Sequence, residues 1–398
     1  MSRPDGRDSR PPNAPRTEIS TYVQKSSRPR AWHFCGLLSC IVSPRNQANQ
    51  SRRPDDTGAG RAAGRMLEQG EETTMKFTGI LAAAALAVSL SPDAGKATDL
   101  RLLASWDSSF PPVGKVLTAF TDHLESNVES LSIKTMGPET IPPFEQLDPV
   151  QRGLFDMLFT HGSYHYNDLS VGMALDTLKG SVADLRDAEI ISFVDAQYQE
   201  IGMKVVAVLA DPRGYQVVLK DELTGDGLAG RKIRGTPSYH AALEKLGASP
   251  VVLPGGEIYP ALERGTIDGA AWPIIGALSF RWFEVADYLM RPSFGQSNYL
   301  VLMNLDKWNG LDDATRQQIE AAAQEFEQIA VDQFTEIVAS EEAQLIENGM
   351  QETQLTEEQA AELQTGWFIG QMNLAATVNP DKISKMRELA KEAGLSYE

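Results

Sequence analysis

The segments PVQRGLFDMLFT (Pro149 to Thr160) and PALERGTIDGAAW (Pro260 to Trp272) share one pattern: a helix end, Arg-Gly, two further residues, an Asp, and a short apolar run. A glycine just past a helix supplies the left-handed turn that ends it, and the Asp opens a strand edge. Each segment therefore predicts a helix-to-strand turn, and the two lie about 110 residues apart. A repeat of this kind predicts two similar lobes, each with its own sheet.

Working outward, Thr98 to Trp106 reads as a first strand that ends in aromatic and polar residues. Val116, Phe120 and Leu124 recur every four positions and predict one apolar face of a helix. Leu131 to Gly137 follows as a second strand, then a Pro-rich loop. Strand, helix, strand, helix is the signature of an α/β sheet with crossover connections. Met203–Ala210, Gly214–Lys220 and Ser297–Asn304 read as strands by their β-branched content, and the last two sit where a chain would pass between lobes and return. Ile319, Ala322, Phe326, Ala330, Phe334 and Ile337 carry helical spacing through Asp312 to Asn348, stopped by Gly349. That helix would be roughly 50 Å long, enough to brace two lobes. Thr356 with Gln359 forms a capping-box start, and Asn379-Pro380 opens a final helix. The expected organisation is lobe I over 98–218, lobe II over 219–298, and a return strand, spanning helix and C-terminal helices over 299–398.

The chain has 398 residues, 42% apolar and 23% charged, which is the balance of a soluble globular protein too long for one ordinary domain. A net charge of −18 excludes binding to nucleic acid or anionic membranes, which needs clustered cations. Residues 1–74, rich in Arg, Pro, Ser and Gly, show no apolar period and read as a disordered upstream extension; Cys35 and Cys40 lie there without a metal or redox spacing. From Met75, a Lys, the apolar run Ile80 to Leu90 and Gly95-Lys96-Ala97 form an export signal over 75–97, with Met75 as the expected start of translation and the periplasm as destination. Residues 98–398 then carry 22 Lys and Arg against 45 Asp and Glu.

Catalytic constellations are scarce. His123, His161, His165 and His240 are the histidines after residue 97, and the His161–His165 spacing falls in an aromatic loop with no carboxylate at ligand distance. No nucleophile elbow, phosphate loop or dinucleotide fingerprint is present, so no catalytic residue, metal or cofactor is expected. Two arginines stand out: Arg234, at the end of the short strand Lys232–Arg234, and Arg213, at the entrance of GYQVVLK. In a crevice between lobes an Arg fork is the natural clamp for a carboxylate; the same positions also fit a surface or interdomain ion pair.

The run AGRKIRGTPSYHAALEKLGASPVVLPGGEIYPALERGTIDGAAW (Ala229 to Trp272) resembles the second lobe of the extracytoplasmic solute receptors of tripartite ATP-independent periplasmic (TRAP) transporters, and GLFDM with the late helix fits the same family. The resemblance implies a two-lobe, type II-like periplasmic-binding-protein fold with hinge strands and a spanning helix. It implies a receptor that closes on a small organic acid and passes it to a membrane permease driven by a sodium gradient. It places Arg234 on the arginine that clamps the ligand carboxylate and Arg213 on a second arginine of some members. LPGGEIYPALERGTID with Trp272 looks most like the branch that binds 2-oxo acids. Ala271 and Pro212 stand where that branch has Glu and Gln, which removes oxygen ligands and argues against a metal beside the acid. Trp106 and Phe110 after the first strand, Tyr164 and Tyr166 after the strand of the first echo, and Asn298 in the return strand complete the expected ligand site; Tyr164 and Tyr166 also fit a role in packing the hinge. The expected ligand is a monocarboxylate with a 2-oxo, 2-hydroxy or aromatic body. The alternative is the same fold acting as a sensing module for a membrane receptor kinase.

Overall fold

A computed structural model describes residues 98–129 and 131–397. The upstream extension and export signal expected over 1–97 lie outside the described residues.

The strands, in chain order, are β1 (Thr98–Ala104), β2 (Leu131–Met136), β3 (Met157–His161), β4 (Met203–Asp211), β5 (Tyr215–Leu219), β6 (Lys232–Arg234), β7 (Ser249–Val251), β8 (Gly269–Pro273), β9 (Tyr288–Arg291), β10 (Ser297–Asn304) and β11 (Gln351–Gln354). They form two sheets, ordered β2-β1-β3-β10-β4 and β11-β9-β5-β8-β6-β7. In the first, β1 runs parallel to β2 and β3, while β10 runs antiparallel to β3 and β4. In the second, β6 runs parallel to β7 and β8, while β5 runs antiparallel to β8 and β9. Apart from the added edge strand β11, the two lobes repeat one plan.

The quoted echo is the core of that plan. The helices Leu147–Gln151 and Ile258–Glu263 end ahead of Gly153 (φ +74°) and Gly265 (φ +66°), and β3 and β8 follow. Each Asp then locks its strand to the parallel neighbour. Asp156 Oδ2 accepts from the backbone N of Arg101 in β1, and Asp268 Oδ2 from that of Lys232 in β6, both at 2.7 Å. The backbone N–H groups of Asp156 and Asp268 donate back to the Arg101 and Lys232 carbonyls at 2.9 and 2.8 Å. The carboxylate in each case extends the ladder by one bond where the strand begins.

Each lobe borrows its antiparallel strand from the crossing chain: β5 enters the second sheet directly after leaving the first, and β10 enters the first directly after leaving the second. The boundary expected at residue 218 is therefore displaced, because the whole of β5 belongs to the second sheet. The crossings are residues 212–214 and 292–296 rather than the strands themselves. They meet backbone to backbone, with Tyr215 and Phe294 exchanging two hydrogen bonds of 2.8 and 2.9 Å. Gly214 (φ +72°) permits this, since a side chain there would run into the carbonyl oxygens of Phe294 and Gly295.

The long helix runs from Asp313 to Glu347, about 52 Å at 1.5 Å per residue. Asp312 caps its start by accepting from Thr315 N at 2.9 Å. Phe326 packs edge-on against Phe120 of the first lobe. Two buried acids fasten the helix to both lobes. Glu327 takes Arg186 with both oxygens (2.6 and 2.7 Å) and the backbone N of Val208 in β4 (2.9 Å). Less than two helix turns short of the end, Glu341 Oε1 accepts from the backbone N–H groups of Gly276 and Leu278, just beyond β8, at 2.6 and 2.9 Å. The chain closes with the capping-box helix Glu357–Thr365 and a terminal helix opened by Pro380. Among the described residues no helix is long and apolar enough to cross a membrane.

Candidate functional site

Between the sheets lies a cavity of about 290 Å³, a figure that counts space open to solvent. The first lobe contributes Trp106, Phe110, His161, Ser163 and Tyr164, together with Ser297 and Tyr299 of β10. The second contributes Tyr215, Arg234, Thr236, Tyr239, Trp272 and Pro273. These positions are strand ends and the turns after them, the place where open α/β sheets present side chains to a ligand.

Arg234 is the last residue of β6 and is 1% exposed. Its Nε donates to Leu253 O at 2.9 Å and its Nη1 to Ala271 O at 3.1 Å, so the backbone after β7 and within β8 fixes the plane of the fork. The Trp272 ring backs it, 4.6 Å from the guanidinium carbon. Gly255 leaves room for that ring, since a Cβ there would lie 2.7 Å from Trp272. Arg234 Nη2 has no hydrogen-bond partner of good geometry, though the Tyr164 hydroxyl lies close to the fork, and no carboxylate among the described residues pairs with the group. Burial pulls the guanidinium below its usual pKa, opposed by the Tyr164 and Tyr239 hydroxyls nearby. An Arg so far above neutrality stays charged, which leaves a buried cation without an anion.

The rest of the wall is aromatic and neutral. Trp106 stands at the centre of a first-lobe cluster, 5.1 Å from Tyr164, 5.6 Å from Phe110 and 5.5 Å from Tyr299, and donates its Nε1–H to Tyr164 Oη at 2.7 Å. Phe110 reaches across to Trp272 at 5.7 Å. Burial pushes the phenols of Tyr164, Tyr215, Tyr239 and Tyr299 upward, so each remains a hydroxyl. Buried Ser297 Oγ, Tyr299 Oη and Trp272 Nε1 lack a hydrogen-bond partner of good geometry. No Asp or Glu lines the cavity. Behind it sits Asp176, fully buried, bonded to His161 Nε2 and Tyr215 Oη (both 2.8 Å) and to the backbone and side-chain nitrogens of Asn298 (3.0 and 2.9 Å).

Of the residues expected from sequence, Arg234, Trp272, Tyr164, Trp106 and Phe110 meet at the cavity. Three do not. Arg213 turns outward from the first crossing and pairs with Glu342 of the long helix at 3.2 Å, the interdomain ion pair that its position also allowed. Asn298 alternates to the far face of β10 and binds Asp176, leaving its neighbours Ser297 and Tyr299 to face the cavity. Tyr166 is partly buried against the first-lobe core cluster rather than at the cavity. Sequence reading missed Tyr215, Tyr239, Tyr299, Ser297, Thr236, Ser163 and His161. Tyr215 and Ser297 open the two strands named as crossings, which was the one available signal for them.

Comparison with known proteins places this geometry. Residues 181–367 match the bacterial extracellular solute-binding protein family 7. The 2,3-diketo-L-gulonate-binding periplasmic protein of Escherichia coli K12 is 28% identical over 246 residues, 58% of this chain and 73% of that protein. Among solved structures, a TRAP periplasmic solute binding protein from Desulfovibrio salexigens with bound orotic acid superposes with a TM-score of 0.66 at 17% identity, covering 74% of this chain and 98% of the other. An extracytoplasmic solute receptor of Bordetella pertussis binding pyroglutamic acid gives 0.65 at 16%, covering 74% and 100%. At those identities the superpositions establish the fold.

Proposed function

We infer from the match over residues 181–367 that the chain belongs to family 7 of the bacterial extracellular solute-binding proteins, the periplasmic receptors of TRAP transporters, and we propose that it binds a small monocarboxylate by seating the acid group on Arg234. It works with the membrane permease of such a transporter. The observation that carries the ligand assignment is the buried Arg234 guanidinium with no anion beside it. Removing a cation from water costs several kcal/mol unless an anion compensates it, and the cavity wall offers none. A ligand carboxylate supplies that charge once. A second carboxylate would meet no further Lys or Arg among the lining residues, so a monoanion fits better than a dianion. The aromatic walls favour a flat or apolar body. The relative of 28% identity described above is named for 2,3-diketo-L-gulonate, an acid with a single carboxyl group.

Binding here is proposed to leave the acid unchanged. Ser163, His161 and Asp176 form a hydrogen-bonded series, but the family whose model the chain matches is one of solute-binding proteins. A thermal-shift panel of organic acids tests the reading. A ligand at a hundredfold excess over its Kd adds roughly 2.7 kcal/mol of stability. At least one monocarboxylate should raise Tm and be recovered intact after incubation. A response confined to dicarboxylates, or to amines, would contradict it.

A further inference from the structure

Resting on the carboxylate at Arg234, we propose that a separate part of the cavity wall, Ser163 and Tyr215, is a hydrogen-bond acceptor surface set by Asp176, and that it selects acids bearing a hydroxyl or N–H donor over those bearing only a carbonyl. Asp176 accepts four hydrogen bonds: from Asn298 N and Nδ2 on Oδ1, and from Tyr215 Oη and His161 Nε2 on Oδ2. A carboxylate only accepts, so the single proton of Tyr215 and the Nε2 proton of His161 are both directed at it. His161 Nδ1 is then a bare lone pair, and a second contact fixes the same tautomer independently: the Ser163 backbone N–H, which can only donate, points at Nδ1 from 3.1 Å. Ser163 Oγ lies 2.7 Å from that nitrogen and must donate to it as well. Both hydroxyls thus have their protons committed to the interior and face the cavity they line with lone pairs, Tyr215 Oη also standing 3.1 Å from the His161 Nε2–H.

Among the other polar groups of the wall, Trp272 Nε1 and Arg234 Nη2 only donate, while the hydroxyls of Tyr164, Thr236, Tyr239, Ser297 and Tyr299 can turn to donate. A ligand carbonyl is served by those groups but repelled by the Ser163 and Tyr215 lone pairs; a ligand hydroxyl or ring N–H meets them as acceptors. Relaying the Asp176 charge through neutral hydroxyls also gives the acceptor character without setting a carboxylate against the acid group of the ligand. A site built to bond a substrate hydroxyl discriminates strongly against an analogue that lacks it.

Isothermal titration calorimetry of the purified protein with matched 2-hydroxy and 2-oxo acids, from lactate and pyruvate up to phenyllactate and phenylpyruvate, tests this. In the tightest pair the hydroxy acid should bind about tenfold or more tightly. In Ser163→Ala that ratio should fall to within threefold through weaker hydroxy-acid binding, with the oxo acid little changed. Ser163→Cys, which preserves volume but accepts poorly, should behave the same way if the Ala variant does not fold. Arg234→Ala should weaken both members of a pair alike, which separates the two proposals. An oxo acid that binds as tightly as its hydroxy partner, or a ratio that survives in a folded Ser163 variant, would overturn this inference and leave the Arg234 reading standing. Failure of every acid to bind would overturn both.

Discussion

Arg234 and Arg213 are both arginines at strand ends, and the protein uses them in opposite ways. Arg234 is the buried one, its plane fixed by the Leu253 and Ala271 carbonyls and its Nη2 left unbonded. Arg234→Ala removes the partner of a buried ligand carboxylate, a loss of roughly 3 to 5 kcal/mol, or a hundredfold to several thousandfold in affinity at about 1.4 kcal/mol per tenfold. Arg234→Lys keeps charge but loses the fork and should retain part of the affinity. Titration of a monocarboxylate found by the thermal-shift panel reads both. Arg213→Ala should change affinity by less than threefold, because its guanidinium serves Glu342 at the half-exposed surface. Binding by Arg234→Ala within threefold of wild type would contradict the assignment. At this scale the sequence was informative where chemistry is unusual. A strand-end Arg followed by Gly is conspicuous, whereas Tyr239 and Tyr299 have the spacing of ordinary core residues. Only the fold shows that their hydroxyls open on a cavity.

The two crossings and the long helix are the elements on which movement depends. Gly214→Ala forces a side chain into the Phe294 and Gly295 carbonyls from a positive φ, and should lower stability by about 1 to 3 kcal/mol, read as a fall in Tm by calorimetry. An unchanged Tm would show that the crossings are not in tight register. Beside them, two acids titrate unusually. Burial pushes Asp211, at the end of β4, up to about 7, against the Arg213 backbone bond and charge, and with Glu341 and Glu342 adding to the rise. Burial likewise raises Glu341, the clasp on Gly276 and Leu278, to about 7. With folded pKa values above the unfolded ones near 4, the native state holds more protons in between. Stability contributed by these groups is therefore full below about pH 4 and falls as pH rises to about 7, on the order of a few kcal/mol in total. Asp211→Asn should flatten the decline of Tm between pH 5 and 8; a variant that declines as steeply as wild type would remove Asp211 from the account. Element identity was largely legible: the Arg-Gly-x-x-Asp echo marks equivalent turns, and the long helix ends within a residue of expectation. Lobe membership of β5 was not, because β-branched alternation fixes a strand but not the sheet it joins.

At the scale of the molecule, Arg234 is 1% exposed, and the lobes are proposed to part to admit an acid to it. The parts that permit this are two short crossings and one helix held to the first lobe by Glu327 and to the second by Glu341. A ligand that touches both lobes favours the closed arrangement by its differential affinity. In the proposed complex the carboxylate would hold Arg234 of the second lobe, and Trp106, Phe110 and Tyr164 of the first, which line the cavity, would meet the ligand body. Without the acid, the unpaired Arg234 charge favours opening to water. Small-angle X-ray scattering of wild type and Arg234→Ala, each with and without a saturating monocarboxylate, joins these claims in one measurement. The radius of gyration of wild type should fall on adding the acid, and that of Arg234→Ala at the same concentration should not. A wild-type profile unchanged by bound acid, or an Arg234→Ala protein that closes as wild type does, would contradict the account.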